Sequence, residues 1–262
     1  MPDLTLPEIR LHYEIEGAGP PLLLIAGMAS DSASWAPLMP LLSEHFTLIR
    51  PDNRTTGRTT PWNAPASVPQ MAMDCAALLD HLNLARVHVM GHSLGGMIAL
   101  HLAQSGPQRI ASLTLAASAP IRLARNIALF ETLVRIRQSD AEPDTWLRAL
   151  FPWLFAPTLY DTPEAIDAAA AASLAYPHAQ STDAMAHQLE ALRNYIPNCS
   201  VPEVAAQALL GETDLMLPTA LAQTALDGTP THIVQAAGHS IHWDAPQAVA
   251  DHLRRFTSAN AI

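Results

Sequence analysis

The chain has 262 residues, 49% of them hydrophobic and 15% charged, with a formal net charge of -10. That composition supplies enough apolar material for one large core and excludes a disordered chain. Every basic side chain is an arginine and there is no lysine, which excludes a catalytic lysine, a Schiff base and a lysine-bearing phosphate loop.

The acidic balance also argues against nucleic acid, whose phosphates need clustered positive charge. Cys75 and Cys199 are the only cysteines. They have neither metal-ligand spacing nor the numbers for a disulfide framework, and they read as ordinary core or helix thiols. Met1-Pro2-Asp3-Leu4 lacks a basic region leading into an apolar stretch, so no signal peptide is predicted. No apolar run reaches the ~18 residues of a membrane span. The expected setting is the cytoplasm, with no membrane partner.

Glu8 to Glu16 alternates polar and apolar residues, as a strand with one wet face near a sheet edge does. Gly17 to Pro20 is a turn. Pro21 to Ala26 then runs apolar without alternation, the mark of a strand buried on both faces. Phe46 to Arg50, Val87 to Met90, Ile110 to Ala116, Val204 to Leu210 and His232 to Gln235 give the same signal. Helical spacing appears at Met71 to Leu82, at Leu94 to Gln104 and at Pro246 to Phe256. Strands alternating with helices predict an α/β fold with a mostly parallel sheet and helices on both faces. Residues 120–198 break the rhythm. They read as alanine-rich helices interrupted by Pro143, Pro152, Pro157, Pro163 and Pro177, with an aromatic cluster around Trp146 and Trp153. The expected organisation is a core of residues 1–119 and 199–262, with 120–198 as a helical insertion.

Gly91-His92-Ser93-Leu94-Gly95 has the pattern Gly-x-Ser-x-Gly between an apolar strand and an amphipathic helix. In that context the serine sits on a tight turn with its hydroxyl exposed, and the helix N-terminus places unpaired N–H groups beside it. A serine hydroxyl is a weak nucleophile and needs an adjacent base. Downstream, Asp214 follows one predicted strand and His239 follows the last, which is the chain order serine, acid, histidine. Ser93, Asp214 and His239 are therefore the candidate catalytic residues. Among the other histidines, His242 is the main rival base, with His92 and His88 behind it; Glu212 is the rival acid, and Asp227 lies too far along the chain. The N–H groups of Met28 and Leu94 are the candidate oxyanion hole.

These motifs, with Asp52-Asn53-Arg54-Thr55-Thr56-Gly57-Arg58 and Gly211 to Pro218, resemble the α/β-hydrolase family from Glu8 to Phe256. The resemblance implies the α/β-hydrolase fold with a helical cap at residues 120–198, a serine nucleophile, and no cofactor or metal. Two departures stand out: Ala26 occupies the family's usual histidine position, and Thr55 replaces a glycine of the arginine loop, in which Arg54 reads as structural. Small bacterial members offer the nearest resemblance: 3-oxoadipate enol-lactonases, aminoacrylate hydrolases and polyketide methylesterases. The implied activity is cleavage of a small ester, lactone or amide. Perhydrolases, lyases, cofactor-free oxygenases and ligand receptors share the architecture and stay open as alternatives. The expected partner is a small-molecule acyl substrate, and a homodimer is left open. Candidate substrate-binding residues are Trp35, Trp146, Trp153, Phe155, Met216 and Trp243, with Tyr160 beside them. Arg122 and Arg125 are candidates to meet a substrate carboxylate.

Overall fold

A computed structural model describes residues 3–198 and 202–262. Cys199 lies outside the described residues, whereas Cys75 is buried, as read above, and burial pushes its thiol pKa up. The chain runs through β1 (Asp3–Thr5), β2 (Arg10–Glu16), β3 (Pro21–Ile25), α1 (Met39–Leu42), β4 (Thr47–Pro51), α2 (Val68–His81), β5 (Val87–His92), α3 (Leu94–Ser105) and β6 (Ile110–Ala116). Then come α4 (Ala124–Arg137), α5 (Thr145–Leu154), α6 (Pro163–Ala175), α7 (Thr182–Arg193), β7 (Ala206–Gly211), α8 (Thr219–Ala225), β8 (Thr231–Val234), α9 (Ile241–Asp244) and α10 (Pro246–Ser258). The strands form one 8-stranded sheet in the order β1-β2-β4-β3-β5-β6-β7-β8. β1 and β2 pair antiparallel, as do β2 and β4; every other pair is parallel.

The unbroken apolar strands follow from a sheet covered on both sides. Successive side chains of a strand point to opposite faces. Leu23 and Ile25 of β3 enter one core cluster with α2 and α3, while Leu22 and Leu24 enter the other with α1 and α10. Full burial of each such leucine or isoleucine contributes about 1.5–3 kcal/mol. β2 departs from the wet-face alternation expected of it: Leu11, His12 and Tyr13 are all buried, His12 being covered by Asp3 and Glu14, while Ile15 is exposed. The short edge strand β1 was not legible, because three residues with one apolar side chain carry no periodicity.

α4 to α7 lie between β6 and β7 along the chain and pack through two smaller clusters, one around Phe130, Leu133 and Met185 and one around Leu147 and Phe151. Not every proline breaks a helix there. Pro163 opens α6 and Pro157 opens a short 3-10 turn, but Pro152 lies inside α5. In the last turn of a short helix it gives up one backbone bond without ending the helix earlier. Among the described residues no helix is long and apolar enough to cross a membrane.

Candidate active site

β5 delivers Ser93 at the carboxyl edge of the sheet. The serine has φ 53 and ψ -118, a left-handed backbone that a non-glycine residue adopts only under constraint. The constraint is steric and local. A Cβ on Gly91 would lie 2.2 Å from the Gly95 carbonyl oxygen, and one on Gly95 would lie 2.0 Å from that of Ile25. Only glycine lets β5, α3 and β3 approach so closely. The Ser93 N–H donates to the Ala116 carbonyl at 3.0 Å, and the Ser118 hydroxyl donates to the Ser93 carbonyl at 2.7 Å.

The side chains of Ser93, His239 and Asp214 meet in one line. His239 Nε2 is 2.9 Å from Ser93 Oγ, and His239 Nδ1 is 2.8 Å from Asp214 Oδ2. With the proton on Nδ1 given to the carboxylate, Nε2 is free to accept the serine proton. The other oxygen of Asp214 accepts the Leu217 N–H at 2.8 Å, which fixes the carboxylate from behind. Asp214 and His239 are both buried, while Ser93 stays partly open to the cavity.

The rival residues go elsewhere. Glu212 accepts the Ala236 N–H, and Asp227 is exposed at the end of α8. His88 bonds Ser112 inside the sheet, and burial pushes its pKa down to about 4. The buried His92 ring packs 5.0 Å from His239 and donates from Nε2 to the His239 carbonyl at 3.0 Å. Burial and then the neighbouring His239 push His92 down to about 3. Burial and the same two rings hold His242 well below the usual histidine range. Both stay uncharged at neutral pH and serve as packing around His239. One acid that sequence reading missed is Asp244, whose carboxylate takes the N–H groups of Gly238 and Ala156. It ties the His239 loop to the end of α5; burial raises its pKa.

Met28 borders the cavity, and Leu94 opens α3 with its side chain buried. Neither N–H donates to another protein group among the described residues. The loop carrying Met28 is held from both ends. Asn53 Nδ2 donates to the Ala26 carbonyl at 2.9 Å, and Ala29, at φ 58, donates its N–H to Gln188 Oε1 of α7 at 2.9 Å. Arg54 is structural, as expected: its guanidinium binds Asp74 through Nε at 2.6 Å and Nη2 at 3.0 Å, and also reaches Glu8 and the Pro65 carbonyl.

Ser93 and His239 open into a cavity of about 360 Å³. Of the candidate substrate-binding residues, Trp146, Phe155, Met216 and Trp243 line it. Trp35 and Trp153 do not. Trp35 is wholly buried in the core cluster under the sheet, with its ring 4.9 Å from His242. Trp153 packs with the α4 cluster, beneath Arg125 at 5.9 Å. Tyr160 is exposed. Arg122 and Arg125 are spent on the carbonyls of Arg193 and Leu215 and do not reach the cavity. Sequence reading missed the lining residues Phe130, Leu150, Phe151, Tyr176 and Arg137. A signal existed: Phe130, Leu133, Val134 and Arg137 recur at 3, 4 and 7 residues, as do Leu147, Leu150, Phe151 and Leu154.

The arrangement can lift a proton from a serine hydroxyl and place two N–H donors near the oxygen of an attacked carbonyl. Comparison with known proteins gives the family. The family model of the alpha/beta hydrolase fold matches residues 20–246. A protein named as a carbamate hydrolase, RutD, of Azorhizobium caulinodans is 31% identical over 84% of this chain and 83% of its own length. Among solved structures, a thermophilic esterase from Thermogutta terrifontis superposes with a TM-score of 0.84 at 21% identity, covering 100% of both chains. The enol-lactonase of Burkholderia xenovorans LB400 also gives 0.84, at 22% identity over 98% of this chain and 100% of its own.

Proposed function

The chain belongs to the α/β-hydrolase fold family, and from that premise we propose that it is a serine hydrolase that cleaves a small ester, lactone or amide through an acyl-serine intermediate. The observation that carries the reading is the continuous line Asp214–His239–Ser93, with 2.8 Å and 2.9 Å contacts.

In this mechanism His239 Nε2 takes the proton as Ser93 Oγ attacks the substrate carbonyl carbon. The carbonyl oxygen becomes an oxyanion and receives the N–H groups of Met28 and Leu94. Asp214 stabilises the imidazolium that forms. The tetrahedral species collapses, the bond to the leaving oxygen or nitrogen breaks, and His239 returns its proton to that atom. Water then repeats the sequence on the acyl-serine and releases the acid. The relatives named as carbamate hydrolases make a carbamate, a carbonyl flanked by nitrogen and oxygen, one substrate to include. The mostly apolar wall of the cavity favours a compact acyl group.

The test is a panel of short p-nitrophenyl esters, lactones, amides and carbamates against wild type and Ser93→Ala. A burst of p-nitrophenol that disappears in Ser93→Ala is the expected result. Wild type that turns over nothing in the panel, or Ser93→Ala that keeps the burst, overturns the reading.

A further inference from the structure

Arg137 is the last residue of α4 and lines the cavity that holds Ser93. Its pairing differs from that of the buried Arg54 and the half-buried Arg58. Arg54 and Arg58 each meet carboxylates, at 2.6 Å and 2.7 Å. Among the described residues Arg137 meets no carboxylate. Its Nη2 donates to the Gln180 carbonyl at 2.8 Å, its Nη1 faces Met185 Sδ at 3.3 Å, and its guanidinium lies over the Trp146 ring at 4.4 Å. A thioether is a weak acceptor. The carbonyls at the end of α4 offer only partial negative charge.

Withdrawing a charge from water is unfavourable unless an opposite charge is brought to it. Here burial lowers the Arg137 pKa, yet an arginine stays protonated at neutral pH. The site thus holds a cation without a counter-ion, on the wall of an otherwise mostly apolar cavity. The one acid on that wall, Asp31, accepts the Tyr176 hydroxyl at 2.9 Å and is not paired with Arg137.

We propose that Arg137 is the specificity residue of this cavity, binding a carboxylate that the substrate carries in addition to its scissile bond. The inference rests on the acyl-serine reading of Ser93. The substrate class is a short apolar acyl chain bearing a carboxylate, such as the half-ester of a dicarboxylic acid. Phe130, Leu150, Phe151 and Met216 would cover its methylenes, and the guanidinium would take the carboxylate oxygens.

Two esters of equal chain length test this: mono-p-nitrophenyl adipate and p-nitrophenyl hexanoate. The ratio of their kcat/KM values is read within each variant, so that a loss of folded protein cancels. In Arg137→Gln the ratio should fall about ten- to hundredfold, the scale of one charge-assisted hydrogen bond. Arg137→Lys should recover part of it. An unchanged ratio in Arg137→Gln overturns the proposal, because both esters then depend on Arg137 only for packing. A calorimetric titration of Ser93→Ala with adipate and with hexane-1,6-diol separates this outcome from failure of the acyl-serine reading. If wild type hydrolyses neither ester, adipate binding that is lost in Ser93→Ala/Arg137→Gln still supports the anchor. Equal binding of adipate by both proteins overturns it.

Discussion

Leu22, Leu23, Leu24 and Ile25 of the central strand β3 are all fully buried, whereas the 13 residues of α6 bury only Ala170. The sheet and the α4–α7 helices are built by different rules. The sheet is covered on both faces, and its glycines hold backbones together at distances no other residue permits. The helices stand mostly on small clusters, although α7 sends Ala191 and Leu192 into the large core, and they reach the loop after β3 through polar contacts such as Gln188 to Ala29 and Tyr176 to Asp31. The lesson is a division of labour. Substitutions in the sheet layer should lower stability or abolish chemistry, while substitutions in the helices should re-select substrates.

The largest effect expected under this division is chemical. His239→Ala should lower kcat on the order of 10⁴-fold while leaving the thermal melt close to wild type. Near-normal turnover of p-nitrophenyl acetate would remove His239 from the mechanism. Second is a structural change in the same layer. Asp74 and Arg54 are both almost wholly buried and doubly bonded. Asp74→Ala leaves the guanidinium with the half-exposed Glu8 and the Pro65 carbonyl, so it should destabilise the fold by about 3–5 kcal/mol. Urea unfolding followed by circular dichroism checks this, and a loss below about 1 kcal/mol would mean that Glu8 suffices for Arg54.

These two regions were also unequally legible. Ile110 to Ala116 stands in the structure with the bounds its apolar run gives, and Ser93, His239 and Asp214 meet where strand ends predict. The physical reason is that burial on both faces and a required glycine each leave a mark at a fixed position. The cavity wall was half legible. Trp35 and Trp153 look like pocket residues because they are large and aromatic, but size alone does not say which face of an element they occupy. Trp35 follows the sheet into the core. Arg137 was hidden because its role lies in lacking an acidic partner, and pairing across 43 or more residues leaves no local trace.

Gln188 is where the division of labour can break. It sits on α7, yet its side-chain oxygen holds the N–H of Ala29, beside the proposed oxyanion donor Met28. Gln188→Leu should therefore lower kcat about tenfold for all substrates with little change in KM, less than the ~10²–10³-fold loss of a whole oxyanion donor. Gln188→Glu keeps an acceptor and should restore much of the rate. A change in KM for some substrates only, with kcat intact, would return Gln188 to the specificity class.

The smallest effect concerns Asp31, which joins the two regions. It is buried, caps the short helix after it by accepting the Ala33 N–H at 2.9 Å, and receives the Tyr176 hydroxyl. Burial, and then the Asp52 carboxylate beside it, raise its pKa above the ordinary carboxylate value. A carboxyl that holds its proton more tightly when folded favours the folded chain only while protonated. That contribution is whole below the ordinary carboxylate pKa. It fades as pH climbs toward the raised value, and at neutral pH the ionised group is a net penalty. Asparagine keeps the capping oxygen without the charge. Asp31→Asn should therefore raise the melting temperature at neutral pH, and the gain should vanish in strong acid, where wild type is protonated as well. A variant less stable than wild type at neutral pH would show that Tyr176 needs an anion at Asp31, so that the tie between helices and sheet outweighs the burial of its charge.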